Sequence, residues 1–187
     1  MRLFVALDLS DEIRHAIGDV IAKLRPDSRG ARWVRPEGMH VTLKFIGETD
    51  PSKLDPILAA LSGIHPPQAF DIKVRGVGFF PDGRRPRVVW CGIESSSSLS
   101  NLAAEMDHSL EHLGIAREKR AYVPHLTLAR FKSPERLDNL VRTAQTLEEC
   151  EFGSVHETEF HLFQSFLKPS GADYKKLATF PFLGERT

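Results

Sequence analysis

Cysteine is scarce in this chain. Among 187 residues there are two, Cys91 and Cys150, and neither belongs to a CxxC pair. A disulfide-stapled secreted scaffold and a cysteine-built zinc site are thereby excluded, and both thiols are expected to be reduced. An excess of charge is also missing. The 25 Lys and Arg balance the 25 Asp and Glu, which excludes a polybasic protein that coats nucleic acid through its bulk field. No apolar run approaches the ~20 residues of a membrane span. The opening apolar stretch stops at Asp8, too short for the core of a secretion signal. The GxxxxGK loop and the GxSxG elbow are absent, and Gly76-Val77-Gly78 lacks the third glycine of a dinucleotide loop. The expectation is a cytoplasmic, membrane-free protein whose length and 41% hydrophobic content fit one domain over residues 1–187.

What the chain does have is an internal repeat. Trp33-Val34-Arg35-Pro36-Glu37-Gly38-Met39-His40-Val41-Thr42-Leu43-Lys44-Phe45 is matched by Ala121-Tyr122-Val123-Pro124-His125-Leu126-Thr127-Leu128-Ala129-Arg130-Phe131. Each has an aromatic residue, a valine and a proline ahead of His-x-Thr-Leu. The surroundings repeat as well. Ahead of His40 lies a helix pattern capped by Ser10, with Ile13, Ile17, Val20, Ile21 and Leu24 on one face. Ahead of His125, Leu102, Met106, Leu110 and Leu113 mark another. Asp50-Pro51 and Ser133-Pro134 each start a further helix, since a capping side chain before proline suits a first turn. Late strands fall at Phe160–Leu167 and Leu177–Phe182, and Phe70–Phe79 can pair with Val88–Ile93 as a hairpin. The fold class predicted is α+β and bilobal: two pseudo-symmetric lobes, each with a mixed or antiparallel sheet and flanking helices, around a cleft. The repeat halves are roughly 1–94 and 95–187.

On a strand, side chains at i and i+2 point to one face. His40 and Thr42 therefore share a face, with Val41 and Leu43 behind them. His125 and Thr127 do the same, with Leu126 and Leu128 behind. If the halves pack about a pseudo-two-fold axis, two imidazoles and two hydroxyls converge. Such a cluster suits a phosphodiester. One neutral imidazole takes a proton from water, one imidazolium protonates the leaving oxygen, and the hydroxyls donate to the non-bridging oxygens. No metal or other cofactor is needed.

The chain resembles the two-histidine phosphoesterase superfamily, and within it the bacterial RNA 2′,3′-cyclic phosphodiesterases, also called 2′-5′ RNA ligase-like proteins. The resemblance rests on RLFVALDLS, RWVRPEGMHVTLKFIGE, PHLTLARF and LFQSFLKPSGADYKKLATFPF, which together span nearly the whole chain. It implies metal-independent hydrolysis of RNA ends bearing a 2′,3′-cyclic phosphate to a 2′-phosphate; tRNA fragments are among the expected partners, and a monomer is the expected state. The resemblance casts His40 as the proton donor and His125 as the acceptor, with Thr42 and Thr127 holding the phosphate. A reverse 2′-5′ ligation is the secondary activity it implies.

Two residues are open between readings. Arg130 lies five after His125, so alternation puts it on the opposite face, whereas the resemblance puts an arginine near the cleft. A bulge would reconcile the two. Phe45 holds the same place in the first motif and is either a base-stacking surface or a core side chain. Trp33 and Tyr122 are read as packing residues, and Arg84-Arg85-Pro86-Arg87 as a basic loop tip. The histidines of His156-Glu157-Thr158-Glu159-Phe160-His161 are five apart, not the four of a zinc-protease helix. His108 and His112 have a metal pair's spacing without an evident third ligand. The rival functions are a non-catalytic RNA-end binding module and a phosphodiesterase acting on a small cyclic nucleotide or a 2′,5′-linked oligonucleotide. A binder would favour arginines over a matched histidine pair.

Overall fold

Ser10 starts the first helix as its position predicts. Its side chain accepts a hydrogen bond from the Ile13 amide, and helix α1 (Asp11–Leu24) buries all five residues of its apolar face. The computed structural model describes residues 1–65, 67–133, 137–168 and 171–183. Asp50 caps a short 3-10 turn at Pro51 that leads into α2 (Leu54–Ser62). Ser96 caps α3 (Ser97–Glu111), and α4 (Asp138–Gln145) follows the second motif. The Pro134 of the expected second cap, and Pro169 and Ser170 of the expected late turn, lie outside the described residues.

Nine strands complete the chain: β1 (Arg2–Leu7), β2 (Ala31–Trp33), β3 (Val41–Glu48), β4 (Phe70–Phe80), β5 (Val88–Ser95), β6 (His125–Phe131), β7 (Glu151–Glu157), β8 (Glu159–Lys168) and β9 (Gly171–Pro181). They form a four-stranded sheet in the order β3-β1-β8-β9 and a five-stranded sheet in the order β2-β6-β5-β4-β7. Every pairing between these strands is antiparallel. The α+β class and the two sheets with flanking helices agree with expectation. Strands β2 and β7 are additional. Neither alternates cleanly between buried and exposed residues, so periodicity carries no signal for them.

The sheets do not coincide with the halves of the chain. The first sheet takes β1 and β3 from the first half and β8 and β9 from the second. The second sheet takes β4 and β5 from the first half and β6 from the second. The repeat survives in the strand order, because each sheet places a His-x-Thr strand beside the strand that precedes its helix. Helices α2 and α3 pack together, α3 lying on β3, while α1 lies on β7 and α4. One continuous core joins Val5, Leu7, Val41, Val89, Cys91, Leu126 and Leu128 to the helices. Among the described residues no helix is long and apolar enough to cross a membrane.

Candidate active site

The two His-x-Thr strands carry the same irregularity. On β3, Ala6 faces Thr42 and Val5 faces Lys44, so Leu43 is an extra residue. On β6, Trp90 faces Thr127 and Val89 faces Ala129, so Leu128 is extra. A one-residue bulge shifts the alternation by one. Val41, Leu43 and Lys44 are buried while Phe45 is exposed. Leu126, Leu128 and Ala129 are buried while Arg130 is exposed. Phe45 and Arg130 are thus returned to the face of the histidines and threonines. This corrects the strict alternation that set Arg130 on the opposite face. Phe45 is not a core residue: it is 51% exposed, with the Arg2 guanidinium 5.1 Å over its ring. Lys44 takes the buried side, where it pairs with Asp107 of α3 and donates to the Ala116 carbonyl at 2.7 Å.

His40 sits on a seat assembled from the chain's two ends. Its imidazole stacks on Phe4 with centroids 4.4 Å apart, and Tyr174 of β9 meets it edge-on at 5.1 Å. Phe4, Ala6 and Phe163 form a small apolar cluster with Tyr174 packed against it. Behind the seat, Arg14 pairs with Asp8 and donates to the Met39 carbonyl at 3.0 Å, pinning the loop that delivers His40. Asp8 also meets Lys176 at 3.1 Å, and Lys176 donates to His161 Nε2 at 3.2 Å. The seat and its clamp were not singled out in the sequence. The only signal for them was that Asp8 and Tyr174 fall within the opening and closing segments of the resemblance.

His125 is held on the other sheet. Phe80 meets it edge-on at 5.1 Å and packs on Trp90. The indole in turn lies across Gly78, where a Cβ would fall 2.2 Å from it, so only glycine leaves it room.

Both histidines are oriented in the same way. His40 Nδ1 lies 3.0 Å from the Gly38 carbonyl and His125 Nδ1 lies 2.7 Å from the Val123 carbonyl, each two residues upstream. A carbonyl only accepts, so in both rings Nδ1 carries the hydrogen and Nε2 is left free to give or take a proton. The two motifs also touch. The Tyr122 hydroxyl donates to the Thr42 carbonyl at 3.0 Å, and the Val34 amide to the Leu128 carbonyl at 2.8 Å. Neither threonine hydroxyl has a hydrogen-bond partner among the described residues.

The electrostatics of the two rings differ in degree. Burial pushes His40 down to about 4. Arg14 and Arg130 act the same way, while the Gly38 carbonyl and Asp8 oppose them. Burial also lowers His125, with Arg130 adding to it and the Val123 carbonyl opposing. The charge of Arg130, on the sheet of His125, thus reaches both imidazoles. Trp33 and Tyr122 are partly buried against the core. Arg84, Arg85 and Arg87 are exposed. The His108 and His112 rings are 5.6 Å apart, and no group of three or more metal-ligating side chains occurs among the described residues.

Near Asp8 lies a buried carboxyl, Glu157. Its Oε1 has no hydrogen-bond partner among the described residues, and burial, helped by Asp8 and Glu159, pushes it up to about 8. The unfolded chain gives up this proton near 4.5, so between those values the folded protein holds the extra proton and stability falls as pH rises. Each unit costs up to ~1.4 kcal/mol. Denaturant unfolding from pH 4.5 to 8.5 should show this decline in the native protein and a flatter line in Glu157→Gln. Equal slopes would contradict it.

Known proteins resemble this chain over nearly its whole length. The family described as LigT like Phosphoesterase matches twice, over residues 7–90 and 93–174, once in each half. A protein of Archaeoglobus fulgidus named RNA 2′,3′-cyclic phosphodiesterase is 40% identical over 182 residues, covering 96% of this chain and 99% of its own. The crystal structure of TT0787 of Thermus thermophilus superposes with a TM-score of 0.83 at 32% identity, covering all of both chains. That of E. coli LigT complexed with 3′-AMP gives 0.80 at 27% identity over 97% of both. A family that matches once per repeat, around each histidine strand in turn, accounts for the bulge, the carbonyl and the threonine occurring twice: the chain belongs to the LigT-like phosphoesterases.

Proposed function

We propose that this protein hydrolyses the terminal 2′,3′-cyclic phosphate of RNA, tRNA fragments included, to a 2′-phosphate without a metal. The observation that carries the reading is the twin imidazole arrangement, with both Nδ1 atoms tied to carbonyls and both Nε2 atoms without a partner among the described residues. In the proposed step, water attacks phosphorus as its proton passes to His125 Nε2. The bond from phosphorus to the 3′ oxygen breaks, and that oxygen takes the proton of His40 Nε2. Thr42 and Thr127, whose hydroxyls are uncommitted, donate to the non-bridging oxygens, and Arg130 supplies positive charge beside them. Phe45 offers an aromatic face to a base. After one turnover His40 is neutral and His125 protonated, and exchange with solvent resets both. With the 5′-hydroxyl of a second RNA end in place of water, the same step joins the two ends through a 2′-5′ bond, the 3′ oxygen again leaving with the proton.

One bilobal domain supplies every group, so a monomer suffices, with repeat halves at roughly 1–94 and 95–187. Two unpaired thiols, Cys91 and Cys150, fit a cytoplasmic setting. The test is turnover of an oligoribonucleotide ending in 2′,3′-cyclic phosphate with EDTA present. A 2′-phosphate product at undiminished rate is expected. Tight binding without turnover, mostly 3′-phosphate, or a requirement for added metal would each overturn the reading.

A further inference from the structure

Arg32 is the central residue of the three-residue strand β2, and its register partner across the ladder is Arg130. Register partners point to one face, and like charges set directly opposite each other are destabilising. Both arginines are exposed, and neither makes an ion pair or a side-chain hydrogen bond among the described residues. On the other side Arg130 faces Val88 of β5, which brings no charge. Among the described residues the sheet therefore holds an uncompensated double cation on the face that carries His125 and Thr127. The charge of Arg130 extends to the first sheet as well, where it acts on the Tyr174 hydroxyl.

The placement of the pair says what it is for. Arg130 lies three residues beyond Thr127, ~10 Å along a strand before the bulge shortens it, and β2 lies a further ~4.8 Å away across the ladder. Of the two arginines, Arg32 is therefore the one set farther from a phosphorus held between the two imidazoles. Arg130, with five donors, reaches from that phosphate toward the next position along the face. We propose that Arg32, paired with Arg130, seats the phosphodiester on the 5′ side of the terminal nucleotide, and so makes an oligonucleotide end the preferred substrate over a nucleoside 2′,3′-cyclic phosphate. This deepens the phosphodiesterase reading and rests on it. The anion relieves the repulsion across β2 and β6, and a mononucleotide has no such anion to offer.

The experiment compares adenosine 2′,3′-cyclic phosphate with a triadenylate ending in the same group, for the native protein, Arg32→Ala and Arg32→Lys, over a range of salt. The native protein should prefer the trinucleotide. In Arg32→Ala the ratio of kcat/KM for trinucleotide over mononucleotide should fall about tenfold, as for a lost charge-assisted contact. The salt slope for the trinucleotide should fall by about one phosphate contact, ~0.7 for a single strand. Arg32→Lys should keep the salt slope and recover part of the ratio, because lysine keeps the charge but not the fork. Both readouts are independent of the fraction of protein folded. A ratio unmoved in Arg32→Ala, or an equal loss on both substrates, overturns the assignment. If the native protein turns over neither substrate, the phosphodiesterase reading fails, and this inference with it.

Discussion

Replacing His40 or His125 with alanine is expected to lower kcat by ~10²–10⁴, the usual worth of one positioned acid or base. KM should move far less, since the threonines and Arg130 still hold the ground-state anion. The double variant should lose much less than the product of the two single losses. Once one proton-transfer partner is gone, the other has no concerted step to complete, and residues that act as a unit are not additive. Thermal unfolding run alongside separates chemistry from folding. His40→Ala empties a stacked position beside Phe4 and should cost some stability, whereas the half-buried His125 should cost little. A single variant retaining more than a tenth of native kcat would remove that histidine from the mechanism. A double loss equal to the product would show the two acting independently.

The second large effect is in pH. The kcat/KM profile should be a bell peaking below pH 6.5 and falling about tenfold per unit on its alkaline side. This profile reports the free enzyme. There, His40 is lowered to about 4 and His125 lies below its ordinary 6.5. One ring must hold a proton while the other lacks it, so the acid limb follows the more strongly lowered His40 and the alkaline limb follows His125, whichever ring is the donor. With His40 as donor the productive form is the minor one, and the anionic substrate enriches it. A phosphate between the rings favours their charged forms and raises both pKa values. The kcat profile should therefore lie at higher pH than that of kcat/KM. Initial rates at fixed ionic strength from pH 4 to 9 check both. A kcat/KM that climbs to a plateau above pH 8 would contradict the two-imidazole account.

That His40 shares a face with Thr42, and His125 with Thr127, was legible because period-two alternation is local and each pair needs only its own strand. The fate of Phe45 and Arg130 was not, because a bulge is defined by the partner strand. Nothing in Thr-Leu-Lys-Phe or Thr-Leu-Ala-Arg says that Leu43 and Leu128 lack a partner on β1 and β5. The seat of His40 was hidden for a related reason. Phe4 and Phe163 meet because β1 pairs with β8, a contact between residues far apart in sequence that periodicity cannot specify. Helix α1 was readable end to end, since its cap, acidic first turn and apolar face all lie within its own residues.

The exchange of strands between halves bears on how the chain reaches its folded state. The sheet under His40 begins with β1 but lacks its middle partner until residues 159–168 have been synthesised. During translation the first half leaves the ribosome with β1 and β3 able to pair but with the β8 edge of β1 uncovered. That is an interval of unpaired edge and exposed apolar surface. The second sheet has β4, β5 and β6 in hand earlier and is placed to form first. Cutting the chain between its repeats near Glu94 would give two fragments, neither of which contains a complete sheet. Activity should return only when both are present together.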